Sequence, residues 1–171
     1  MTYLAVDVHY SSDNALAVAA GLLFAAPDSE DVIAEHLVTV TNPAQYTTGE
    51  FYKRELPCIL TLLSSITTVY DTVIVDSYVD LGERSGMGRY LYESLNHNIA
   101  VIGVAKNSAN NSRAIEVLRG GSKKPLYVTA VGVDCEFAAG LIESMHGQHR
   151  QPTLLKRVDV LARCGLKSLA K

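Results

Sequence analysis

The apolar pattern of the chain changes near residue 42, and this change constrains the fold more than any other feature. Residues 3–10, 15–25 and 32–40 are apolar or alternating runs separated by short polar turns, as in an antiparallel meander. Beyond residue 42, short apolar runs without alternation are separated by segments with helical spacing. Such runs are typical of strands that helices cover on both faces. The pattern therefore predicts an α/β fold with a mixed sheet.

The order of the later elements extends this prediction. We expect the strands at 72–76 and 99–104 to run parallel to the first strand, through helical crossovers. Three antiparallel strands followed by parallel strands, flanked by helices, resemble the ribonuclease H-like arrangement. No linker or repeat divides residues 1–171, so we predict a single domain. The other predicted elements are helices at 50–68, 86–96, 111–119, 134–146 and 153–163 and a last strand at 125–131.

Composition and cysteine content narrow the class of protein. With 171 residues, 48 % of them hydrophobic, the chain can bury a substantial core. No apolar run approaches the ~20 residues of a membrane span, and no basic region followed by an apolar segment suggests a secretory signal. We therefore expect a cytoplasmic protein without membrane association. The odd number and wide spacing of Cys58, Cys135 and Cys164 favour free thiols over disulfides or a zinc site.

Charge is distributed unevenly along the chain. Residues 1–103 contain four Lys/Arg and thirteen Asp/Glu, a balance of −9, whereas residues 104–171 contain eleven and five, a balance of +6. Lys and Arg provide the electrostatic part of nucleic-acid affinity. An acidic half that binds a metal beside a basic half that attracts phosphate would suit a nuclease. Uneven surfaces are common, however, and the net charge of −3 taken alone is a weak argument against nucleic-acid binding.

Three acidic residues stand next to apolar segments. Asp7 interrupts the first strand, Glu55 precedes the apolar part of a helix, and Asp76 ends a Val/Ile run. A carboxylate costs several kcal/mol to bury unless it is paired or bound to a cation. A divalent metal shared by all three would explain them, and Mg²⁺ takes one or two carboxylates together with water and phosphate oxygens.

Each of these residues also has a simpler explanation. Asp7 could pair with a lysine, Glu55 could interact with the helix dipole, and Asp76 could begin a turn. Lys106, which follows a predicted strand, could be an exposed cation. Asp134 could cap the next helix, since Asp is a preferred N-cap residue.

Residues 45–55 include Tyr46, Gly49, Arg54 and Glu55, and they are similar, without a gap, to a Pro-Tyr-Ile-Pro-Gly-x-x-x-Phe-Arg-Glu segment. This segment is typical of the endonuclease V family, whose members cleave nucleic acid near inosine, and the chain resembles that family in further segments. Residues 102–106 (Ile-Gly-Val-Ala-Lys) match another of its segments. Residues 124–128 and 151–159 are similar to its final strand and final helix. The order and spacing of these segments persist over nearly the whole chain.

The resemblance implies a metal-dependent endonuclease that hydrolyses phosphodiester bonds, in DNA repair or RNA processing. Asp7, Glu55 and Asp76 would bind Mg²⁺, which Mn²⁺ could replace, and Lys106 would stabilise charge at the scissile phosphate. Asp134 would be a fourth metal ligand, since related folds often have an acid there. Among the five histidines, only His9 is expected near the site. The expected substrate-binding residues are Tyr46, Gly49, Arg54, Gly82, Arg84 and Lys124.

The chain also departs from the family pattern. Gln45, Thr47 and Thr48 replace residues around the strand-separating Tyr46, and two of the replaced residues are prolines, which stiffen a loop. Residues 77–79 (Ser-Tyr-Val) replace the Gly-His-Gly that usually follows the strand-end aspartate. These changes predict reduced inosine selectivity and single-stranded or flexible DNA or RNA as the substrate. They leave two alternatives open: a weak or inactive relative that binds nucleic acid or a partner, and an enzyme for a smaller phosphate-containing substrate.

Overall fold

The computed structural model describes residues 1–110 and 113–169. In it, three strands precede the first helix, as the apolar pattern predicts. The chain-order elements are β1 (Tyr3–Tyr10), β2 (Leu16–Phe24), β3 (Ala34–Thr41), α1 (Tyr52–Ser64), β4 (Thr72–Val75), β5 (Asp80–Leu81), β6 (Arg84–Ser85), α2 (Met87–Ser94), β7 (Ala100–Ala105), β8 (Ile115–Val117), β9 (Leu126–Val131), α3 (Cys135–Ser144) and α4 (Thr153–Leu169).

Seven of the strands form one mixed sheet. Its order is β3-β2-β1-β4-β7-β9-β8. The first three strands are antiparallel, and β4 and β7 continue the sheet parallel to β1, as predicted. The remaining pair, β5 and β6, forms a small separate hairpin. The ribonuclease H-like α/β class is therefore confirmed.

The later part of the sheet contains an antiparallel edge and one wrong prediction. The strand β9, for which we predicted no direction, runs antiparallel to β7, because its connection from β7 contains no crossover helix among the described residues. The helix expected at 111–119 is absent at Ile115–Val117, which instead form β8 and pair with β9. Residues 111 and 112 lie outside the described residues. Extended backbone is favoured here because the segment completes the edge of the sheet.

Helices cover both faces of the sheet and create two apolar cores. Tyr3 and Ala5 of β1 pack with residues of α3 and α4, such as Ile142 and Val158. The intervening residues of β1, beginning with Leu4, pack on the other face with α1 and α2. All four residues of β4 are buried, as expected for a strand covered on both sides. None of the described helices combines the length and apolarity needed to cross a bilayer.

Candidate active site

Two carboxylates lie side by side in the centre of the sheet. Val6 of β1 and Val75 of β4 are partners in the parallel register. Asp7 is the next residue of β1, Asp76 directly follows the end of β4, and neighbouring strands are separated by only about 4.8 Å. Because side chains alternate along a strand, Asp7 points to the same face as Tyr3 and Ala5, towards α4. The sheet register thus explains why residues so distant in sequence share one site.

Glu55 reaches this site from the opposite face of the sheet. It lies in the first turn of α1, and only 5 % of its surface is exposed. Burial raises the pKa of Glu55 to about 8; the negative charges of Asp7 and Asp76 add to this rise, and Arg54 opposes it. A buried carboxyl group whose ionisation is opposed by two other carboxyl groups is a group that a cation would stabilise.

Asp7 has a similarly unfavourable environment. Burial raises its pKa to about 6, and the neighbouring charges of Asp76 and Asp159 add to the rise, whereas His9 and a hydrogen bond from the Val8 backbone oppose it. Asp7, Glu55 and Asp76 therefore interact electrostatically with one another. Together they line one cleft of about 390 Å³.

Asp159 is the site residue that sequence reasoning missed. The Nε2 atom of His9 lies 2.9 Å from Oδ1 of Asp159 and 3.5 Å from Oδ2 of Asp7. Burial acts to raise the pKa of Asp159, but hydrogen bonds from His9 and Arg163 outweigh it, and the pKa is lowered. One signal in the sequence could have identified it, because Asp159 is the last residue of the segment 151–159 that resembles the family's final helix. As expected, His9 lies at the site.

Asp134 lies at the start of another helix. Its carboxylate accepts a hydrogen bond of 3.0 Å from the backbone N–H of Phe137 and caps α3. Its side chain is exposed. The structure thus gives Asp134 the capping role that its sequence position also allowed, and it places Asp159, from α4, beside Asp7.

Lys106 pairs with one of the three central carboxylates. Its Nζ lies 2.5 Å from Oδ2 of Asp76. The guanidinium group of Arg150 donates hydrogen bonds to the backbone carbonyls of Lys106 and Pro125, and thereby holds the segment after β7 in place. Lys106 is accordingly a cation at the edge of the acidic cleft, where a phosphate could approach.

The donor set fits a divalent metal. Asp7, His9 and Asp159 each offer one ligand atom, and these atoms lie within 4.8 Å of one another. Glu55 and Asp76 line the same cleft and add further carboxylate oxygens. Oxygen-rich sites of this kind suit Mg²⁺ and Mn²⁺.

Comparison with known proteins agrees with this geometry. A model of the endonuclease V family, described as "Endonuclease V", matches residues 2–140. The chain belongs to the endonuclease V family. This membership confirms the predicted family and the nuclease class. Comparison with curated proteins gave no significant match.

Solved endonuclease V structures share the fold of this chain. The Streptomyces avermitilis protein is 25 % identical, with a TM-score of 0.86 over 100 % of this chain and 83 % of that one. Human endonuclease V is 20 % identical, with a TM-score of 0.82 over 99 % and 86 %. The Ciona intestinalis protein, 19 % identical with a TM-score of 0.81 over 98 % and 86 %, was solved with DNA that contains an inosine followed by a ribo-adenosine.

The family's aromatic and arginine residues lie at the rim of the cleft. Tyr46 is 57 % exposed and lines the cleft together with Arg54. The Arg54 guanidinium lies 3.6 Å from the centre of the Tyr10 ring and donates a hydrogen bond to Asn14. Arg54 is therefore held by the protein, and Tyr46 is the more available group for a base.

A second cleft of about 380 Å³ adjoins the first and shares Asp76 with it. Gly49, predicted to bind substrate, lines this second cleft, where its φ of +80° favours glycine. Gly82 turns the β5–β6 hairpin and lines a different pocket with Arg113. Arg84 and Lys124 are exposed, and their roles stay predictions.

The altered loop after Asp76 packs tightly despite its lost glycines. A Cβ atom on Gly103 of β7 would lie 2.3 Å from the Ser77 carbonyl oxygen, and one on Gly86 would lie 2.5 Å from the Tyr78 carbonyl oxygen. The Val79 backbone N–H donates a hydrogen bond to Thr129, and the Tyr78 hydroxyl donates one to the Asn107 carbonyl. The loop's close approaches thus depend on glycines outside residues 77–79.

Proposed function

We propose that this endonuclease V family member hydrolyses phosphodiester bonds in single-stranded or flexible DNA or RNA, including inosine-containing strands, and uses Mg²⁺, which Mn²⁺ can replace. The observation that carries the proposal is the convergence of Asp7, Glu55 and Asp76 on one cleft, with Glu55 almost fully buried. A buried acid whose ionisation two neighbouring carboxyl groups oppose is costly, and it is unusual in a site built only for stability.

In this proposal, Asp7, Glu55 and Asp76 hold the metal, and Asp159 takes the fourth position that the sequence assigned to Asp134. Bound Mg²⁺ would lower the pKa of a coordinated water and offset charge at the phosphate. The carboxylate of Asp76 would turn from Lys106 towards the metal. The same movement would free the Lys106 ammonium group for the phosphate.

Lys106 would then stabilise the negative charge that develops on the phosphate and the leaving oxygen. Tyr46 would stack against a base, a contact worth ~1–3 kcal/mol in single-strand binders. The second cleft, between Gly49 and Met87, lies next to Asp76 and offers room for an unstacked base. The inosine-containing DNA bound by the Ciona relative supports a nucleic-acid substrate of this kind.

A cleavage assay tests the proposal. Labelled single strands of DNA and RNA, each with inosine or adenosine at one position, are incubated with Mg²⁺ or Mn²⁺. We expect cleavage that Asp7→Asn and Asp76→Asn abolish. Asp28→Asn, which removes the same charge from an exposed residue outside the cleft, should leave the rate unchanged. Cleavage that survives both cleft substitutions would contradict the assigned site.

One observation favours a second candidate, a family member that binds nucleic acid but cleaves it weakly. Asp76 is paired with the Lys106 ammonium group, while the His9 imidazole lies between Asp7 and Asp159, so protein groups already interact with three carboxyl groups of the acidic cleft. Binding of single strands without cleavage at saturating Mg²⁺ or Mn²⁺ would support this candidate.

A further inference from the structure

We propose that His9 makes the metal site selective for a first-row transition ion, with Mn²⁺ bound directly through the imidazole in preference to Mg²⁺. The inference rests on the proposed function, since it concerns the same metal site. It goes beyond that function because it assigns a nitrogen ligand and a metal preference.

The geometry places the imidazole among the metal ligands. His9 follows Asp7 by two residues on β1, so both side chains point to the face that α4 covers. On α4, Asp159 presents a carboxylate 2.9 Å from the His9 Nε2 atom. The ring nitrogen thus lies between two carboxylates that come from different elements of the fold.

The spacing of these three groups suits a single ion. Their ligand atoms lie within 4.8 Å of one another. Metal–oxygen bonds of about 2.1 Å place opposite ligands of an octahedral ion about 4.2 Å apart. The separations of the His9, Asp7 and Asp159 ligand atoms are thus close to those of atoms that share one ion.

The chemistry of the ligand atoms then determines which metal ion the site prefers. Mg²⁺ binds oxygen ligands and loses its water reluctantly. Affinity for a site with a nitrogen donor is lowest for Mn²⁺ among the first-row transition ions and rises along that series, whereas Mg²⁺, outside the series, takes oxygen ligands and keeps several waters. An imidazole beside two carboxylates therefore adds more affinity for Mn²⁺ than for Mg²⁺.

A different role for His9 predicts the opposite result. As a protonated bridge between Asp7 and Asp159, the imidazolium would occupy the place of a cation and compete with the metal. Its removal would then strengthen the binding of both ions. In the proposed role, its removal weakens the binding of Mn²⁺.

Metal binding without substrate provides the test. Dissociation constants for Mn²⁺ and Mg²⁺ are measured by electron paramagnetic resonance titration and competition, and pulsed spectra of the Mn²⁺ complex report directly coordinated nitrogen. We expect nitrogen coupling in the wild-type protein. His9→Asn, which offers an oxygen donor of similar size, should remove the coupling and weaken Mn²⁺ binding by about tenfold or more, with a much smaller change for Mg²⁺. His149→Asn, the same substitution at an exposed histidine in the loop before α4, is the matched control.

The outcomes separate this inference from the proposed function. Bound Mn²⁺ without nitrogen coupling, or an equal effect of His9→Asn on both ions, overturns the role of His9 and leaves the carboxylate metal site standing. Tighter binding in His9→Asn also overturns it, in favour of the bridging cation. If the wild-type protein binds neither ion, the proposed metal-dependent function fails together with the inference. The wild-type spectrum does not depend on the folding of any variant.

Discussion

The ammonium nitrogen of Lys106 lies 2.5 Å from a carboxylate oxygen of Asp76, just beyond the carboxyl ends of two neighbouring parallel strands. Ligand chemistry in open α/β sheets is concentrated at such strand ends. The pair joins a proposed metal ligand to the cation proposed for the phosphate. In the proposed mechanism, charge compensation without the metal and catalysis with it therefore involve the same two side chains.

Substitution of Lys106 should separate these two roles. We expect Lys106→Ala to lower the cleavage rate by about a hundredfold, since the loss of one donor to a developing charge costs ~2.7–4 kcal/mol in other enzymes. The same change should strengthen Mg²⁺ binding, because Asp76 loses a competing cation. Single-turnover cleavage and metal titration measure the two effects. Lys167→Ala, at the far end of α4, serves as the control, and weaker metal binding in Lys106→Ala would contradict the competition.

The raised pKa of the buried Glu55 predicts how the free energy of unfolding depends on pH in the absence of metal. Its pKa is about 8 in the folded protein, against an ordinary value of 4.5. Between these values the folded state binds more protons than the unfolded state, so the free energy of unfolding falls as pH rises. Asp7, raised from 3.8 to about 6, contributes in the same direction over its own range.

Urea unfolding at pH 5, 6, 7 and 8 measures this dependence. We expect the wild-type midpoint to decrease across the series, and Glu55→Gln to reduce the decrease because its amide does not ionise. The exposed Glu116 provides the control substitution, Glu116→Gln. A Glu55→Gln profile that parallels the wild type would show that this carboxyl group does not carry the dependence.

A divalent ion should reverse that loss of stability. Because Mg²⁺ or Mn²⁺ binds the folded state, an ion at a hundred times its dissociation constant adds about 2.7 kcal/mol to the free energy of unfolding. The increase in melting temperature should be larger at pH 8 than at pH 5, where protonated carboxyl groups compete with the ion. Thermal unfolding with each ion, and with EDTA, measures the shift. Asp76→Asn should reduce it, whereas an unchanged shift in that variant would remove Asp76 from the metal site.

The two later aspartates should respond differently to substitution. Asp134→Ala removes the cap of α3 and should destabilise the protein by roughly 1 kcal/mol, with cleavage retained. Asp159→Ala removes a proposed metal ligand and should abolish cleavage and weaken metal binding. Urea unfolding and the cleavage assay, applied to both variants, compare them directly. Loss of cleavage in a stably folded Asp134→Ala variant would instead restore Asp134 to the metal site.

The sequence predicted most of the fold because periodicity reports burial, and burial decides how strands and helices pack. It failed at Ile115–Val117, since a strand of three residues is too short to show a period. The direction of β9 depends on its connection and not on its own residues. Asp7, within an apolar strand, and Asp76, at the end of another, were recognisable because a charge in an apolar run is locally unusual. Asp159 was not recognisable, because it lies on an amphipathic helix, where acidic residues are common, and its contact residue His9 is 150 residues away in the sequence.

The exposed ring of Tyr46 should control single-strand affinity more than inosine selectivity. We expect Tyr46→Ala to weaken the binding of single-stranded DNA by about 1–3 kcal/mol, the value of one stacked base, with inosine and adenosine strands affected alike. Fluorescence anisotropy with the cleavage-deficient Asp76→Asn background measures this affinity. Phe137→Ala, which removes a comparably exposed ring on α3, should have no effect.

Inosine selectivity should instead be limited by residues 77–79, where side chains replace the family's Gly-His-Gly, and by a loop at Thr47 and Thr48 that lacks stiffening prolines. Cleavage should therefore favour single strands over duplexes, because unstacking a base costs least there. Strong, inosine-selective cleavage of duplex DNA would show that the altered loop still forms a selective pocket.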